Sequence, residues 1–449
     1  MINIKTDSRK VVPGDTFVAI PGNTVDGHDY INKAIENGAT KIIAMHGSYQ
    51  VETEIVEDTK TYLDEYLKEN YANNFKDLKL IGVTGTNGKT TTCYLIYQIL
   101  KLLGKKVCYI GTIGFYINSE RRELANTTPD ILELYNLLLE AKNSNIKYVV
   151  MEVSSHALDL KRIYGLEFDV CAFTNLTQDH LDYHKTMDNY LKAKLQILNY
   201  LKDNGKIIVN SDDVYGKYFK CSKSLTLGSN KDDYQIVGYK LKQDRTNINL
   251  KHDNITYEIT TNLIGKFNIY NYLTSLAIVN LLGFSINDII NITKDLYPPL
   301  GRCQIIKKDR AIIVIDYAHT PDAVEKIIAN FREVTKGKII TIIGCGGDRD
   351  PLKRPIMGSI ASSNSDYVIF TNDNPRTEDE KKIVADILNG VKSDNYEVIY
   401  DRREAIKKGM QVLKDNDTLL ILGKGHEDYQ IIGREKVHLS DIEEVHKNL

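Results

Sequence analysis

Apolar positions along this chain gather into short runs separated by polar stretches, and the spacing inside the runs changes from one segment to the next. In the first 78 residues, the runs "TFVAI" and "KIIAM" flank a segment with helical spacing, "DYINKAIENGA". A charged stretch, "DEYLKENYANNFKDLK", then leads into a glycine-bearing loop. From Leu80 to about Tyr297, strand-length runs such as "KYVVMEV", "EFDVCAFTNL" and "GKIIVN" alternate with longer periodic segments. That alternation predicts a mainly parallel α/β sheet. Pro298–Pro299 breaks any helix and marks a boundary. Beyond it, "RAIIVIDYAHTP", "GKIITIIGCGG", "SDYVIFTNDNP" and "DTLLILGKGHE" repeat one design, an apolar run ending in a polar loop with glycine or proline. Open α/β sheets bind ligands where the carboxyl ends of their strands stop, so this segment should gather its chemistry on one edge. Three α/β domains are expected, over 1–78, 79–299 and 300–449.

The stretch "LIGVTGTNGKTTT", residues 80–92, has the form of a phosphate loop with unusual spacing. The common pattern places its first glycine five positions before the Gly-Lys pair, yet that position is Val83 and the nearest glycine is Gly85. Its context is a strand run, "LKLIGV", then a helix with Ile96, Ile99, Leu100 and Leu103 on one face. Strand, glycine turn and helix aim backbone N–H groups and the positive helix end at phosphate. Lys89 is placed to reach terminal phosphates and Thr90 to ligate magnesium. The central domain therefore reads as P-loop ATPase-like. Glu152 falls at a strand end, where a magnesium ligand and a solvated acid fit equally well. "FTNLTQDHLDYHK" packs Asp179, His180, Asp182 and His184 together, suiting a metal or phosphate site or ordinary surface histidines.

Composition narrows the classes. A chain of 449 residues, 42% hydrophobic and 26% charged, with a formal net charge of −2, has no bulk attraction for nucleic acid. The six cysteines are scattered without a Cys-x-x-Cys pair, which suits reduced thiols. No run approaches the ~20 apolar residues of a membrane span, and the start lacks a signal-peptide pattern. A cytoplasmic monomer acting on small molecules is expected.

The ordered set "TGTNGKTT", "NTTP", "EVSSHAL", "TNLTQDHLDYH", "GKFNIYN", "DYAHTPD", "GGDRDPLKRP", "DNPR" and "GKGHEDYQ" resembles the Mur ligase family, in its tripeptide-forming MurE type. The short phosphate loop is the form that family uses. The resemblance implies a small N-terminal domain that binds the uridine-nucleotide substrate, the P-loop ATPase-like centre, and a Rossmann-like C-terminal domain that binds the incoming amino acid. It implies ATP-driven addition of meso-2,6-diaminopimelate to the D-glutamate γ-carboxylate of UDP-MurNAc-L-Ala-D-Glu through an acyl phosphate.

By the same resemblance, Thr6 and Ser8, beside Arg9, stand at the uridine pocket. Asn126, Thr127, Thr128, Ser154 and Arg162 would contact the sugar-peptide. Gly85, Thr86, Asn87, Gly88, Lys89, Thr90 and Thr91 would cradle ATP, with Asn268, Asn271, Arg302 and Asp316 around the rest of the nucleotide. Magnesium would be held by Thr90, Glu152, His180 and a carbamylated Lys194. Without the resemblance, Lys194 reads as a helix-surface lysine. Arg349, Asp373, Asn374, Pro375, Arg376, Gly423 and Glu427 would bind diaminopimelate, Arg376 pairing with its distal carboxylate. Leu160 stands where relatives often have glutamine, and Cys303–Gln304 where they have a Met-Glu pair. Three rivals remain. The lysine-adding branch is separated only by Arg376, a folylpolyglutamate synthase by "DSR" and "DNPR", and a nucleotide-gated regulatory protein by Glu152, His180 and Lys194 together.

Overall fold

The computed structural model describes residues 2–22, 25–242 and 245–449. The chain divides into two compact units. One comprises Met1–Gly82, Gly104–Cys171 and Lys192–Lys206, and the other Val83–Leu103, Ala172–Leu191 and Ile207–Leu449. Among the described residues, no helix is long and apolar enough to cross a membrane.

The first unit begins with four parallel strands in sequence order, β1 (Ile4–Lys5), β2 (Thr16–Val18), β3 (Lys41–Ala44) and β4 (Glu52–Ile55). Phe17, Ile31, Ala34 and Ile42 form the centre of its apolar cluster. The expected helical segment appears as the helix Ile31–Glu36. The first half of the charged stretch that read as a lead-in lies in a second helix, Thr59–Tyr71, capped by the Asp58 carboxylate. Its charges hid an apolar face, Leu63 and Leu67 being buried. Next come β5 (Lys79–Thr84), β6 (Val107–Gly111), β7 (Gly114–Ile117), β8 (Glu120–Arg122), β9 (Tyr148–Glu152) and β10 (Phe168–Phe173). Their order is β10-β5-β9-β6-β7-β8, with β6 and β9 parallel and β7 and β8 turning back as hairpins.

The second unit takes the ends of β5 and β10 and the last four residues of β11 (Leu201–Asn210), and continues with β12 (Ser224–Gly228), β13 (Tyr234–Leu241), β14 (Thr246–His252) and β15 (Ile255–Thr261). β11, β12 and β13 are parallel, but β13, β14 and β15 form an antiparallel meander, a departure from the uniform alternation expected over this region. The meander alternates polar and apolar residues because only one of its faces is covered.

The C-terminal sheet contains β16 (Gln304–Lys308), β17 (Ala311–Asp316), β18 (Ile339–Ile343), β19 (Tyr367–Phe370), β20 (Tyr396–Val398) and β21 (Thr418–Leu422). Its order is β16-β17-β21-β18-β19-β20, parallel throughout except for β16. The last of these six strands in sequence is thus inserted between β17 and β18. Successive residues feed opposite cores: Ile312, Val314, Leu420 and Leu422 face one, and Ile313, Ile315, Leu419 and Ile421 the other. Both faces are covered, which is why these strands read as unbroken apolar runs. Since four of the runs are parallel neighbours, their loops emerge along one edge, as the repeated design predicted.

Candidate active site

Three groups of polar side chains carry the candidate chemistry, and each lies within a single unit. The first is the phosphate loop in the second unit. Gly85 and Gly88 have φ of 145° and 87°, a backbone region that disfavours any side chain. A Cβ on Gly85 would run into Thr174 Oγ1, and one on Gly88 into Asn271 Oδ1. The loop is laced to the segment after β10. Thr86 N donates to Asn175 O at 2.8 Å, Asn87 N donates to Asn175 Oδ1 at 2.9 Å, and Thr174 Oγ1 donates to Asn87 O at 2.7 Å. Lys89 Nζ folds back onto Gly85 O and Thr86 O, each at 2.8 Å. The helix Lys89–Leu102 starts here, with Thr90 and Thr91 buried in its first turn.

Asn268 and Asn271 lie behind this loop, in the buried first turns of the helix Lys266–Leu281. Asn271 Nδ2 donates to Asn268 Oδ1 at 3.1 Å, and Asn268 Nδ2 to Ile264 O at 2.8 Å. The segment after β17 reaches the loop as well, since Asn87 Nδ2 donates to Asp322 Oδ2 at 3.0 Å. Asp322 opens the helix Pro321–Arg332, whose start is fixed by Thr320 as cap and proline in the first turn. His180 adopts a left-handed backbone, its Nε2 3.5 Å from Asp179 Oδ2, while His184 is buried and stacked on Tyr190.

Asp316, at the end of β17, accepts from Cys303 N at 2.6 Å and Ala318 N at 2.8 Å. Burial pushes its carboxyl above the ordinary range, against the opposing pull of Arg302. The Arg302 guanidinium lies over the Tyr317 ring at 4.5 Å, and its buried Nε has no hydrogen-bond partner among the described residues. Gln304 serves this turn too, its Oε1 accepting from Gly301 N.

The second group lines the edge of the C-terminal sheet, where the loops after β18, β19 and β21 meet. Asn374 Nδ2 donates to Glu427 Oε2 at 2.8 Å, which joins "DNPR" to "GKGHE". Arg376, in a left-handed backbone conformation, uses Nη1 to donate to Gly347 O at 2.7 Å. Among the described residues its side chain makes no other hydrogen bond. Asp373 is buried, which raises its carboxyl above the usual range against the pull of Lys424 and Arg402. Gly423 has φ of 114°, and Arg349 is exposed on the loop after β18. Two contributors escaped the sequence reading. Lys424 is buried between Asn374 and Glu427, and Arg402 pairs with Asp441 beneath both loops. A lysine between two glycines, and an arginine opening a charged helix, give no signal of burial.

The third group is in the first unit. Glu152 is wholly buried at the end of β9; its Oε1 accepts from Tyr109 Oη at 2.5 Å and Thr112 N at 2.8 Å. Thr112 Oγ1 in turn lies 3.0 Å from Thr127 Oγ1. Thr128 Oγ1 donates to Glu152 O, Ser154 N donates to Thr128 Oγ1, and Arg162 Nη1 donates to Thr128 O at 2.8 Å. The two motifs "NTTP" and "EVSSHAL" are therefore one structure, with Asn126 exposed beside it. Leu160 is partly exposed, and its carbonyl accepts from Lys60 Nζ. Just after β1, Ser8 is buried and Thr6 half-buried, while exposed Arg9 pairs with Asp7 in its own turn. Lys194 is 1% exposed, so the helix-surface reading of this residue is wrong.

Among the described residues no cluster of three or more His, Cys, Asp or Glu side chains could hold a metal ion. A magnesium site built around nucleotide phosphates needs only one or two protein carboxylates, so Glu152 and a carboxylate-bearing lysine are of the right kind.

The chain is matched by three family models: "Mur ligase family, catalytic domain" over residues 2–75, "Mur ligase middle domain" over 83–279, and "Mur ligase, glutamate ligase domain" over 301–425. It is 42% identical to a UDP-N-acetylmuramoyl-L-alanyl-D-glutamate–2,6-diaminopimelate ligase of Clostridium botulinum, over 99% of this chain and 95% of that protein. A protein of Clostridium acetobutylicum with the same name, numbered 1, is also 42% identical, over 98% and 93%. A solved structure of a ligase of that name superposes with a TM-score of 0.73 at 31% identity, covering 100% of this chain and 94% of the other.

Proposed function

The chain belongs to the Mur ligase family, and from that premise we propose that it joins meso-2,6-diaminopimelate to the D-glutamate γ-carboxylate of UDP-MurNAc-L-Ala-D-Glu, driven by ATP, in cytoplasmic synthesis of peptidoglycan precursors. The observation that carries this reading is full-length similarity, at 42% identity, to relatives named for that reaction. Residues 1–78 are assigned to the uridine nucleotide, 79–299 to ATP and 300–449 to the amino acid.

The γ-carboxylate of the substrate attacks the γ-phosphate of ATP, giving an acyl phosphate and ADP. The diaminopimelate amine then attacks the acyl carbon, and phosphate leaves. Lys89 and the amides of Gly85–Thr91 stabilise charge on the transferring phosphoryl group. Asn268, Asn271, Arg302 and Asp316 serve the nucleotide, the asparagines by holding the loop from behind. The buried Arg302 Nε, lacking a partner among the described residues, supports a ligand contact there. Thr6 and Ser8 are assigned to the uridine end, and Asn126, Thr127, Thr128, Ser154 and Arg162 to the sugar-peptide.

Thr90, Glu152, His180 and carbamylated Lys194 are assigned to magnesium, which supplies positive charge to the phosphates. The burial of Lys194 suits that assignment. Addition of CO₂ to the amine, with release of a proton, would turn the side chain from a cation into a carboxylate-like oxygen donor.

Diaminopimelate carries a distal carboxylate that lysine lacks. Arg376 uses one nitrogen on Gly347 O and keeps donors for such a group, which supports the diaminopimelate assignment. Glu427 takes an ammonium, and Arg349, Asp373, Asn374, Pro375 and Gly423 complete the pocket.

The test is ADP release with ATP, magnesium and UDP-MurNAc-L-Ala-D-Glu, with diaminopimelate or L-lysine in parallel. Turnover with diaminopimelate alone is expected. Turnover with lysine alone would overturn the role given to Arg376, and no turnover with either would overturn the reaction.

A further inference from the structure

Lys424 has no assigned part in the reaction, yet its side chain is 0% exposed and its ammonium lies among three acceptors. Nζ donates to Asn374 Oδ1 at 3.2 Å, to Glu427 Oε2 at 3.0 Å and to the carbonyl of Tyr429 at 2.5 Å. A buried ammonium is costly unless its protons are all taken, and these three bonds take them.

The contacts fix more than the lysine. The Asn374 atom facing Lys424 also receives Ile431 N at 2.9 Å. Two donors on one amide atom make that atom the oxygen, so the amide nitrogen must face Glu427 Oε2. Glu427 Oε2 is then held from two sides, by Lys424 and by Asn374. Among the described residues, Glu427 Oε1 accepts no hydrogen bond.

We infer that Lys424 is a positioning residue for the amino-acid pocket, acting through Asn374 and Glu427 to leave one carboxylate oxygen of Glu427 free for the ammonium of the incoming amino acid. This rests on the reaction proposed above. The lysine sets the orientation of both partners and does not itself touch the substrate. It also offsets part of the negative charge of Glu427 and Asp373, so that the pocket holds a zwitterionic amino acid and does not trap a simple cation.

The test is a KM comparison for Lys424→Met, Glu427→Gln and the double variant, each with a thermal melt. In K424M the KM for diaminopimelate should rise at least tenfold, while those for ATP and the UDP-dipeptide stay within twofold. Because Lys424 acts through Glu427, the double variant should be no worse than E427Q alone, a strongly non-additive cycle. Lys424→Gln keeps a neutral NH₂ group with two donors and should fall between wild type and K424M; it replaces K424M if the latter does not fold. An unmoved KM for diaminopimelate, equal increases for all three substrates, or additive effects would overturn the inference, as would failure of both Lys424 variants to fold. Wild-type turnover with diaminopimelate alongside any of these results sinks the inference alone. A wild type inactive with diaminopimelate sinks the functional reading first.

Discussion

Replacing Arg402 by methionine removes one half of an ion pair in which both side chains are 0% exposed. Arg402 Nε and Nη2 donate to the two oxygens of Asp441, each at 2.7 Å. Nη2 also reaches Leu422 O at 3.0 Å, and Nη1 reaches Asn372 O at 3.4 Å. Those carbonyls directly precede "GKGHE" and "DNPR". Stranding a buried carboxylate costs about 3–5 kcal/mol. The loss of a charged donor from the two carbonyls adds about 1–2 kcal/mol. Against a typical domain stability of ~5–15 kcal/mol, the C-terminal sheet should unfold at a clearly lower urea concentration. The double variant Arg402→Met with Asp441→Leu removes both charges, and should recover at least ~2 kcal/mol relative to the single one. The chain has no tryptophan, so circular dichroism and tyrosine emission are the probes of the transition. A single variant within ~1 kcal/mol of wild type, or a double variant no more stable than the single, would refute this reasoning.

Three further substitutions test other parts. Gly88→Ala places a Cβ at φ 87° and against the Asn271 amide, at a cost of ~1–2 kcal/mol from the backbone alone. The KM for ATP should rise about tenfold or more while that for the UDP-dipeptide holds; unchanged ATP kinetics would contradict the loop geometry. Lys194→Ala should lower turnover by ~10²-fold or more, the scale of losing one charge-stabilising group. Formate or acetate should restore part of it; no restoration at any concentration counts against the carbamate. Asp373 has a carboxyl raised above its ordinary 3.8 chiefly by burial. The folded state therefore binds its proton more tightly, and the carboxyl's contribution to stability falls as pH rises through the window above 3.8. Asp373→Asn should melt higher than wild type at pH 7 and lose that advantage by about pH 3; the opposite order in a pH series of melts would exclude the sign.

What could be read from the sequence was local. The four C-terminal runs were visible because strands covered on both faces, such as Ile312–Ile315, leave no polar position to blur them. The phosphate loop was visible because Gly85 and Gly88 meet a backbone demand that other residues meet poorly. Contacts between distant residues were not visible. Asn87 and Asp322 are 235 positions apart, and Arg402 and Asp441 are 39 apart, so no spacing links them. Burial of charged side chains was hidden for the same reason: nothing in the sequence around Lys194 or Lys424 marks a lysine as buried, and only the fold puts them inside. The meander β13–β15 was missed because its alternation was read as part of a uniform α/β series.

The place of β21 between β17 and β18 has a consequence for how the chain is made. During synthesis the strands flanking that slot emerge long before Thr418–Leu422, and they can pair with each other only in a wrong register or wait with unpaired edges. The C-terminal sheet therefore closes only when nearly all of the chain has left the ribosome. A stop codon just before residue 418 would not trim an edge; it would remove the central strand of the sheet and with it both faces of its core.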